Sequence, residues 1–317
     1  DTLTYTQPNA KSSVLNVVAG NARTSIDGYI SSNGNVFVLN PNGIVIGGSA
    51  RIDTNGFYVS TSDIPSFGAY YFQQNGTLPS QTGYSPVAGT TTINGSAIIN
   101  VTDNITVLSK NVDVGGALIQ GNLNIIADGA VNLGTGGTAL VAGSTTITNA
   151  TGVTTLAPVG GAFTSLNNVT VNSTSGNITN NVASSFTAKS LKVDAGTGDV
   201  ALGKVNSSTV TANGANVAVT LGQSANSTVT VVGNGNISVT APAALTANIV
   251  NKSATGTASV TAGGTLTLGD IHIDSNGATA FLGTSVTDSV NNNFVYGPVL
   301  FNATTGDVSI TKANNSF

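Results

Sequence analysis

A short motif recurs along the chain, and its spacing constrains the fold more than any other feature. The motif is Gly, then Asn or Asp, then an aliphatic residue, any residue and usually a second aliphatic residue. It begins at Gly34, Gly121, Gly176, Gly198, Gly235 and Gly306. From Gly121 onward the starts lie 55, 22, 37 and 71 residues apart, close to three, one, two and four units of roughly 18–22 residues. A period of this length is typical of solenoid proteins.

Each repeat unit predicts two or three β-strands of three to five residues. Alternation such as Thr228-Val229-Thr230-Val231 has a period of two, which places one side of the strand in a core and the other in water. The Gly-Asn and Gly-Asp pairs supply tight corners, because both residue types tolerate positive φ. We therefore expect an all-β, right-handed parallel β-helix, with Val, Ile, Leu and Ala inward and Thr, Ser and Asn outward. A β-sandwich of hairpins is the alternative.

Composition agrees with stacked coils and excludes several classes of protein. Only 7% of the 317 residues are charged, and all thirteen acidic residues are Asp. Like charges stacked in register repel, so neutral outward ladders are favoured. Residues that are poor in helix interiors dominate, which argues against a helical bundle. With no Cys and one His, zinc, Fe–S and thiol chemistry are not expected, and we predict no cofactor. The thinly spread net charge of −4 predicts no nucleic-acid partner.

An aromatic segment at about residues 66–87 interrupts the repeats. We predict an extra-helical loop or hairpin there, folded against the side of the β-helix. One interpretation is a local mini-core that covers an apolar face. The other is a carbohydrate-binding platform whose ligand contacts are Tyr70, Tyr71, Phe72 and Tyr84.

The segment Asn40-Pro41-Asn42-Gly43 predicts a rigid corner. Pro41 fixes its own φ and biases the residue before it toward extended geometry. The Asn-Gly pair that follows predicts a turn with positive φ. Leu39 and Ile44 flank the turn as expected core anchors. We interpret the segment as a corner between two coils.

Five sequence blocks in this order resemble the secretion domain of two-partner-secretion exoproteins, the family of filamentous haemagglutinin and the high-molecular-weight adhesins. The blocks are Gln7–Asn9, Ser12–Asn16, Ile26–Ile30, Asn33–Ile44 and Asn55–Ile64. In that family the Asn-Pro-Asn-Gly segment is associated with recognition by the outer-membrane transporter. The resemblance implies that Asn40, Pro41, Asn42 and Gly43 serve in transporter recognition or only as a structural turn. It also implies a secreted, extracellular protein at the cell surface of a Gram-negative-type bacterium.

The resemblance also suggests how the chain is divided. We expect residues 1–90 to be the carboxyl-terminal part of such a secretion domain, with the extra-helical loop, and residues 91–317 to be a repetitive β-helical shaft. The first third of the family domain has no counterpart before Asp1, so we expect the chain to begin within a domain. Ser62 stands where the family usually has a hydrophobic residue.

Catalysis is not expected, although some parallel β-helices cleave polysaccharides. Such enzymes need carboxylates that converge on one groove, whereas most Asp residues here are isolated. Asp270, His272 and Asp274 alternate on one predicted strand and are weak candidates for a divalent-ion site. The alternative is an outward polar face with Ile271 and Ile273 in the core.

We therefore predict a secreted structural or adhesive exoprotein that forms a β-helical fibre and stacks end to end into filaments. Its expected partners are the two-partner outer-membrane transporter during export, a host or neighbouring-cell surface or glycan, and further copies of itself. The alternatives are a polysaccharide-active β-helix enzyme and the shaft of a toxin-delivery exoprotein with a distal effector.

Overall fold

The computed structural model describes residues 1–62, 89–223 and 225–317, and every regular element within them is a β-strand. The chain divides into two compact units, Asp1–Val169 and Thr170–Phe317. The predicted loop at residues 66–87, with Tyr70, Tyr71, Phe72 and Tyr84, lies outside the described residues. No helix in the described part of the chain has the length and apolar character needed to cross a membrane.

The strands of the first unit are short, with two exceptions. They are β1 (Thr2–Tyr5), β2 (Ser13–Val17), β3 (Thr24–Ile26), β4 (Tyr29–Ser32), β5 (Asn35–Leu39), β6 (Ile44–Ile46), β7 (Arg51–Thr54), β8 (Gly56–Ser60), β9 (Thr90–Ile93), β10 (Ile98–Ser109), β11 (Asn111–Gly115), β12 (Leu118–Ala127), β13 (Val131–Thr135), β14 (Thr138–Val141), β15 (Thr145–Asn149), β16 (Thr154–Thr155) and β17 (Ala162–Ser165). The next strand, β18 (Asn168–Ser173), contains the residue at which the units divide.

The second unit continues the same pattern of short strands. They are β19 (Ile178–Asn180), β20 (Ser185–Thr187), β21 (Ser190–Asp194), β22 (Val200–Asn206), β23 (Thr209–Gly214), β24 (Val217–Leu221), β25 (Ser227–Gly233), β26 (Ile237–Ala241), β27 (Leu245–Asn251), β28 (Ala258–Ala262), β29 (Leu266–Ile273), β30 (Thr279–Gly283), β31 (Val286–Asp288), β32 (Phe294–Val295), β33 (Val299–Ala303) and β34 (Val308–Ser309).

The first unit is a stack of parallel coils. Strand β4 pairs with β1 and β7, β5 pairs with β2 and β8, and β6 pairs with β3 and β9, so β4–β6 form one coil of three strands. Equivalent inward residues stack from coil to coil and have at most 1% of their surface exposed. One such column is Val36, Phe57, Ile105 and Leu123. The hydrophobic core of this unit is therefore a set of vertical aliphatic and aromatic columns.

The second unit repeats the arrangement with a regular register. Leu191 pairs with Val210, Val210 with Val229 and Val229 with Ala247, at spacings of 19, 19 and 18 residues. The neighbouring outward column holds five consecutive threonines, Thr209, Thr228, Thr246, Thr267 and Thr287, between Ser190 and Ser309. The predicted all-β parallel β-helix is thus confirmed within each unit, together with its neutral outward ladder.

The predicted strand length is wrong for the longest strands. Strand β10 has 12 residues, pairs with β7 at Ile98–Val101 and pairs with β8 at Ile105–Leu108. It therefore passes a corner without ending. Its partner β12 does the same at Gly121, whose φ is +136° and whose added Cβ would lie 2.7 Å from the Val101 carbonyl oxygen. Only glycine accepts this backbone geometry, so the motif bends a strand here instead of ending it.

The Asn or Asp of the motif, together with Asn216 after Ala215, joins successive coils in the second unit. The side-chain Oδ1 of Asn177 accepts the backbone N–H of Asp199 (2.9 Å), and Asp199 Oδ1 accepts that of Asn216 (3.0 Å). Asn216 Oδ1 accepts the N–H of Asn236 (2.8 Å), and Asn236 Oδ1 accepts that of Thr257 (3.0 Å). We call these five residues the Asn ladder. Each rung satisfies a corner N–H that no strand partner reaches.

A column of glycines runs beside the Asn ladder, and we call Gly235, Gly256, Gly277 and Gly297 the glycine spine. A Cβ added to Gly256 would lie 2.2 Å from the Gly235 carbonyl oxygen. One added to Gly277 would lie 2.3 Å from the Gly256 oxygen, and one added to Gly297 would lie 2.6 Å from the Gly277 oxygen. Contacts this short with backbone atoms explain why Gly recurs here, since any side chain would force two coils apart.

Candidate functional site

The Asn40–Gly43 segment, which we call the corner site, connects β5 to β6. The Gly43 N–H donates to the Asn40 carbonyl oxygen (3.1 Å), which closes a tight turn. Because β5 and β6 belong to one coil, the corner lies within that coil and not between two coils as the sequence suggested.

Asn40 is completely buried, and its side chain links the corner site to the preceding coil. Its Nδ2 donates to the Ala22 carbonyl oxygen (2.9 Å) and to Thr24 Oγ1 (2.8 Å). Its Oδ1 accepts the backbone N–H of Asn42 (2.9 Å). A buried amide is stable only when its polar atoms are paired, and this side chain is paired at both ends. The folded structure therefore uses Asn40 as an internal clamp.

The residues beside the turn partly match expectation. Leu39 and Ile44 are fully buried anchors, as predicted. Gly43 has a φ of +116°, but Asn42 is not among the non-glycine residues with positive φ. The positive φ is thus confined to Gly43, while the backbone N–H of Asn42 is held by the Asn40 side chain.

The corner site presents only two of its residues to solvent. Asn42 is exposed and Pro41 is half-buried, whereas Asn40 and Gly43 are buried. The Asn42 Nδ2 donates to the Gly20 carbonyl oxygen (2.6 Å), which orders this exposed side chain. The site therefore has a structural half, Asn40 and Gly43, and a surface half, Pro41 and Asn42.

An apolar cluster adjoins the corner site on the outer face of the sheet. Phe57 lies in the inward column, so its neighbour Tyr58 points the other way. The Tyr58 ring stacks on that of Phe37, with centroids 4.4 Å apart. Burial raises the pKa of Tyr58, and the charge of Asp103 raises it further. The members of this outer cluster are Phe37, Leu39 and Leu108, with Leu15, Tyr58 and Ile126 packed against them.

The outer cluster was missed in the sequence, although a signal exists. The run Val36–Leu39 is apolar at every position, and all four residues are buried. A strand with one face in water would alternate, so an unbroken run indicates burial on both faces.

The residues proposed as a weak metal site are only partly brought together. His272 Nε2 lies 3.0 Å from Asp274 Oδ1, and both side chains are about half exposed. Ile271 and Ile273 are fully buried, and Asp270, like His272 and Asp274, is exposed. Among the described residues, no group of three or more His, Cys, Asp or Glu side chains is placed to hold a metal ion.

A covered carboxylate in the second unit has no counterpart in the sequence interpretation. Only 7% of the Asp288 surface is exposed, because the segment 311–315 lies over it. Asp288 accepts hydrogen bonds from the backbone N–H groups of Thr311 (2.9 Å) and Lys312 (2.8 Å) and from Asn315 Nδ2 (2.6 Å). Burial alone would raise its pKa, but these hydrogen bonds outweigh burial and hold the pKa of Asp288 below its usual value. The carboxylate therefore fastens this segment to the unit.

Comparison with known proteins identifies the class. Residues 1–193 match the family described as the TPS secretion domain, which is more than half of the chain. The chain therefore belongs to the TPS secretion domain family, and the match extends well past the residues 3–64 that carry the resemblance in the sequence. Its residues 1–193 are the secretion domain of an exported, two-partner-secreted exoprotein with a β-helical fold. The division expected at residue 90 stays a prediction.

Two curated relatives, both described as heme/hemopexin-binding proteins of Haemophilus influenzae, match over 60 residues. They are 37% and 35% identical to the chain, and each match covers 19% of it. The matched regions are 7% and 6% of the relatives, so the chain spans only a small part of their length. The crystal structure of the HMW1 secretion domain from Haemophilus influenzae aligns over 98% of this chain and 89% of that one, at 17% identity. Its TM-score is 0.29, and we draw nothing from it.

Proposed function

We propose that the surface half of the corner site is the part of this domain that the transporter recognises. Asn40 and Gly43 hold the shape of the corner, and Pro41 and Asn42 are the residues within reach of a partner. The supporting observation is the division of burial within four consecutive residues: Asn40 has no exposed surface, and Asn42 is exposed. A partner that binds the folded corner contacts Asn42 directly and senses Asn40 only through the shape of the turn.

Beyond export, we propose a structural and adhesive role at the cell surface. The stacked threonine column supports this role, because it gives the second unit a long, uncharged and regular face. Low charge removes the usual safeguard against association, which suits a protein that attaches to a host or neighbouring cell, to a glycan or to its own copies. Haem or hemopexin binding is not part of the proposal, since the matches cover only 7% and 6% of the proteins so named.

Transporter recognition is tested with two substitutions in the corner site. Asn42→Ala is expected to reduce binding to the purified periplasmic domains of the cognate transporter and to reduce export, with little change in thermal stability. Asn40→Ala is expected to lower thermal stability, and to change binding only through the altered shape of the corner. Asn172→Ala is the matched control, because Asn172 is another exposed asparagine within the family match. Equal binding by Asn42→Ala and the control would show that the corner is only structural.

The adhesive role is tested with the purified chain. Sedimentation velocity over a concentration series measures self-association, and binding of labelled chain to cells measures attachment. A monomer at every concentration that also ignores cell surfaces and immobilised glycans contradicts the role.

A further inference from the structure

A positively charged side chain lies directly beside the corner site. Arg23 precedes β3, whose first residue, Thr24, donates its N–H to the Gly43 carbonyl oxygen (3.0 Å). The Arg23 stem lies against Gly43: its Cγ and Cδ are 3.5 and 3.6 Å from the position that a Cβ on Gly43 would occupy. The side chain itself is exposed. The sequence separates the two residues by twenty positions, so only the coil register reveals that they are neighbours.

The first unit has few cations, and most of its arginine and lysine side chains can be accounted for. Arg51 Nη1 donates to two backbone carbonyl oxygens, at 2.8 and 3.2 Å. Lys110 pairs with Asp128 at 2.8 Å. Within the described residues, neither Arg23 nor Lys11 has a side-chain hydrogen bond or ion pair. Arg23 is thus a guanidinium without a partner among the described residues, on a stem that lies against Gly43, the residue after the exposed Asn42.

We infer that Arg23 is part of the transporter-binding surface of the corner site and that it takes a carboxylate of the transporter. This inference rests on the proposed function. A guanidinium binds a carboxylate through two parallel hydrogen bonds, a geometry that also fixes orientation. The stem of Arg23 is already ordered against Gly43, so less conformational entropy is lost when the partner binds. Pro41, Asn42 and Arg23 then form one patch with an apolar, a polar amide and a cationic part.

The acidic character of the partner follows from Arg23 itself, because a guanidinium carries a fixed positive charge and pairs with an anion. The chain carries a net charge of −4, so an acidic surface would be attracted only where cations are exposed. A single unpaired arginine at the recognition corner therefore attracts an acidic patch and fixes its position. Such contacts act mainly on the rate of association and on its dependence on salt.

The test measures association of the full chain with the purified periplasmic domains of its cognate transporter by biolayer interferometry at low and high salt. Arg23→Glu is expected to lower the association rate about tenfold at low salt and to flatten its salt dependence. Lys11→Glu is the matched control, because it makes the same change of charge at another exposed, unpaired cation of this unit. Arg23→Lys keeps the charge but cannot make two parallel hydrogen bonds to one carboxylate, so we expect an association rate between those of the unaltered chain and Arg23→Glu.

The outcomes separate the inference from the proposed function. If the unaltered chain fails to bind, both are overturned. If Asn42→Ala weakens binding while Arg23→Glu matches Lys11→Glu, the proposed function stands and the role of Arg23 is refuted. A circular-dichroism melt of each variant accompanies the rates. Because Arg23 is exposed, its variants should have the same melting temperature as the unaltered chain. A lower association rate that is accompanied by a lower melting temperature counts against the inference.

Discussion

Replacing Asn40 by alanine should destabilise the first unit far more than replacing Asn42, two residues away. The Asn40 side chain donates at 2.9 and 2.8 Å and accepts at 2.9 Å, with no surface exposed. Asn42 is exposed, and its side chain bonds to the Gly20 carbonyl oxygen. The same type of residue therefore serves two different purposes in one turn.

The magnitude follows from the groups that lose a partner. Alanine at position 40 removes four hydrogen bonds, each worth about 1 kcal/mol net: two that Asn40 donates and two that it accepts, from the Asn42 backbone N–H and, at 3.2 Å, from the Asn42 side chain. It also leaves a small cavity, but Ala22 is an exposed residue, so water offsets part of the loss. We expect a loss of roughly 2–3 kcal/mol for Asn40→Ala. For Asn42→Ala we expect under about 1 kcal/mol, since water replaces its exposed bond to the Gly20 carbonyl oxygen and Asn40 Oδ1 keeps the backbone N–H of residue 42.

The assay is urea unfolding followed by circular dichroism, at neutral and at acidic pH. Asn40→Asp extends the test, because it keeps the acceptor for Asn42 and loses both donors. Its buried carboxylate should have a raised pKa, so the variant is least stable at neutral pH and regains stability as the pH falls. Unfolding midpoints for Asn40→Ala that equal those of Asn42→Ala would refute the reasoning that Asn40 clamps two coils.

Two further predictions concern the second unit. Gly256→Ala should cost about 1–3 kcal/mol in urea unfolding, because its Cβ would lie 2.2 Å from the Gly235 carbonyl oxygen. Gly20→Ala, where a Cβ would meet nothing within 4 Å, should leave the midpoint unchanged or slightly higher, and an equal loss in both variants would contradict the spine argument. Asp288 has a lowered pKa in the folded state, so its stabilisation is complete above the usual pKa of Asp and is lost as the pH falls through the lowered value. The protection factors of the residue 311–315 amides, which correct for the intrinsic pH dependence of exchange, should therefore fall at acidic pH and lose this dependence in Asp288→Asn; protection factors that do not respond to pH would contradict the prediction.

Much of the fold could be predicted because a solenoid repeats its local rules. Alternation in Thr228–Val231 identified which side faces the core, and the motif spacing identified the length of a coil. The family could be recognised from its ordered blocks because these set one turn and its flanking strands, and Leu39 and Ile44 are buried as that turn requires.

Other features depend on register, which the sequence does not specify. The threonine column includes Thr246, which has no threonine two residues away in the sequence. Its place in the column is recognised only when the coils are aligned. The contact between Arg23 and Gly43 and the cover over Asp288 likewise join residues one coil apart. The bend at Gly121 was interpreted as a corner between strands because a positive φ can bend a strand as well as end it.

The Asn ladder also gives the fold a direction. In every rung the acceptor is a side chain of the earlier coil, and the donor is a backbone N–H of the later coil. When the chain folds from its amino end, the last folded coil therefore has an unpaired side-chain oxygen that can accept the corner N–H of the next coil. When it folds from the other end, the unpaired group is a corner N–H, and its acceptor is a side chain that is not yet ordered. Each finished coil thus presents a side-chain acceptor at the position that the corner of its successor will occupy.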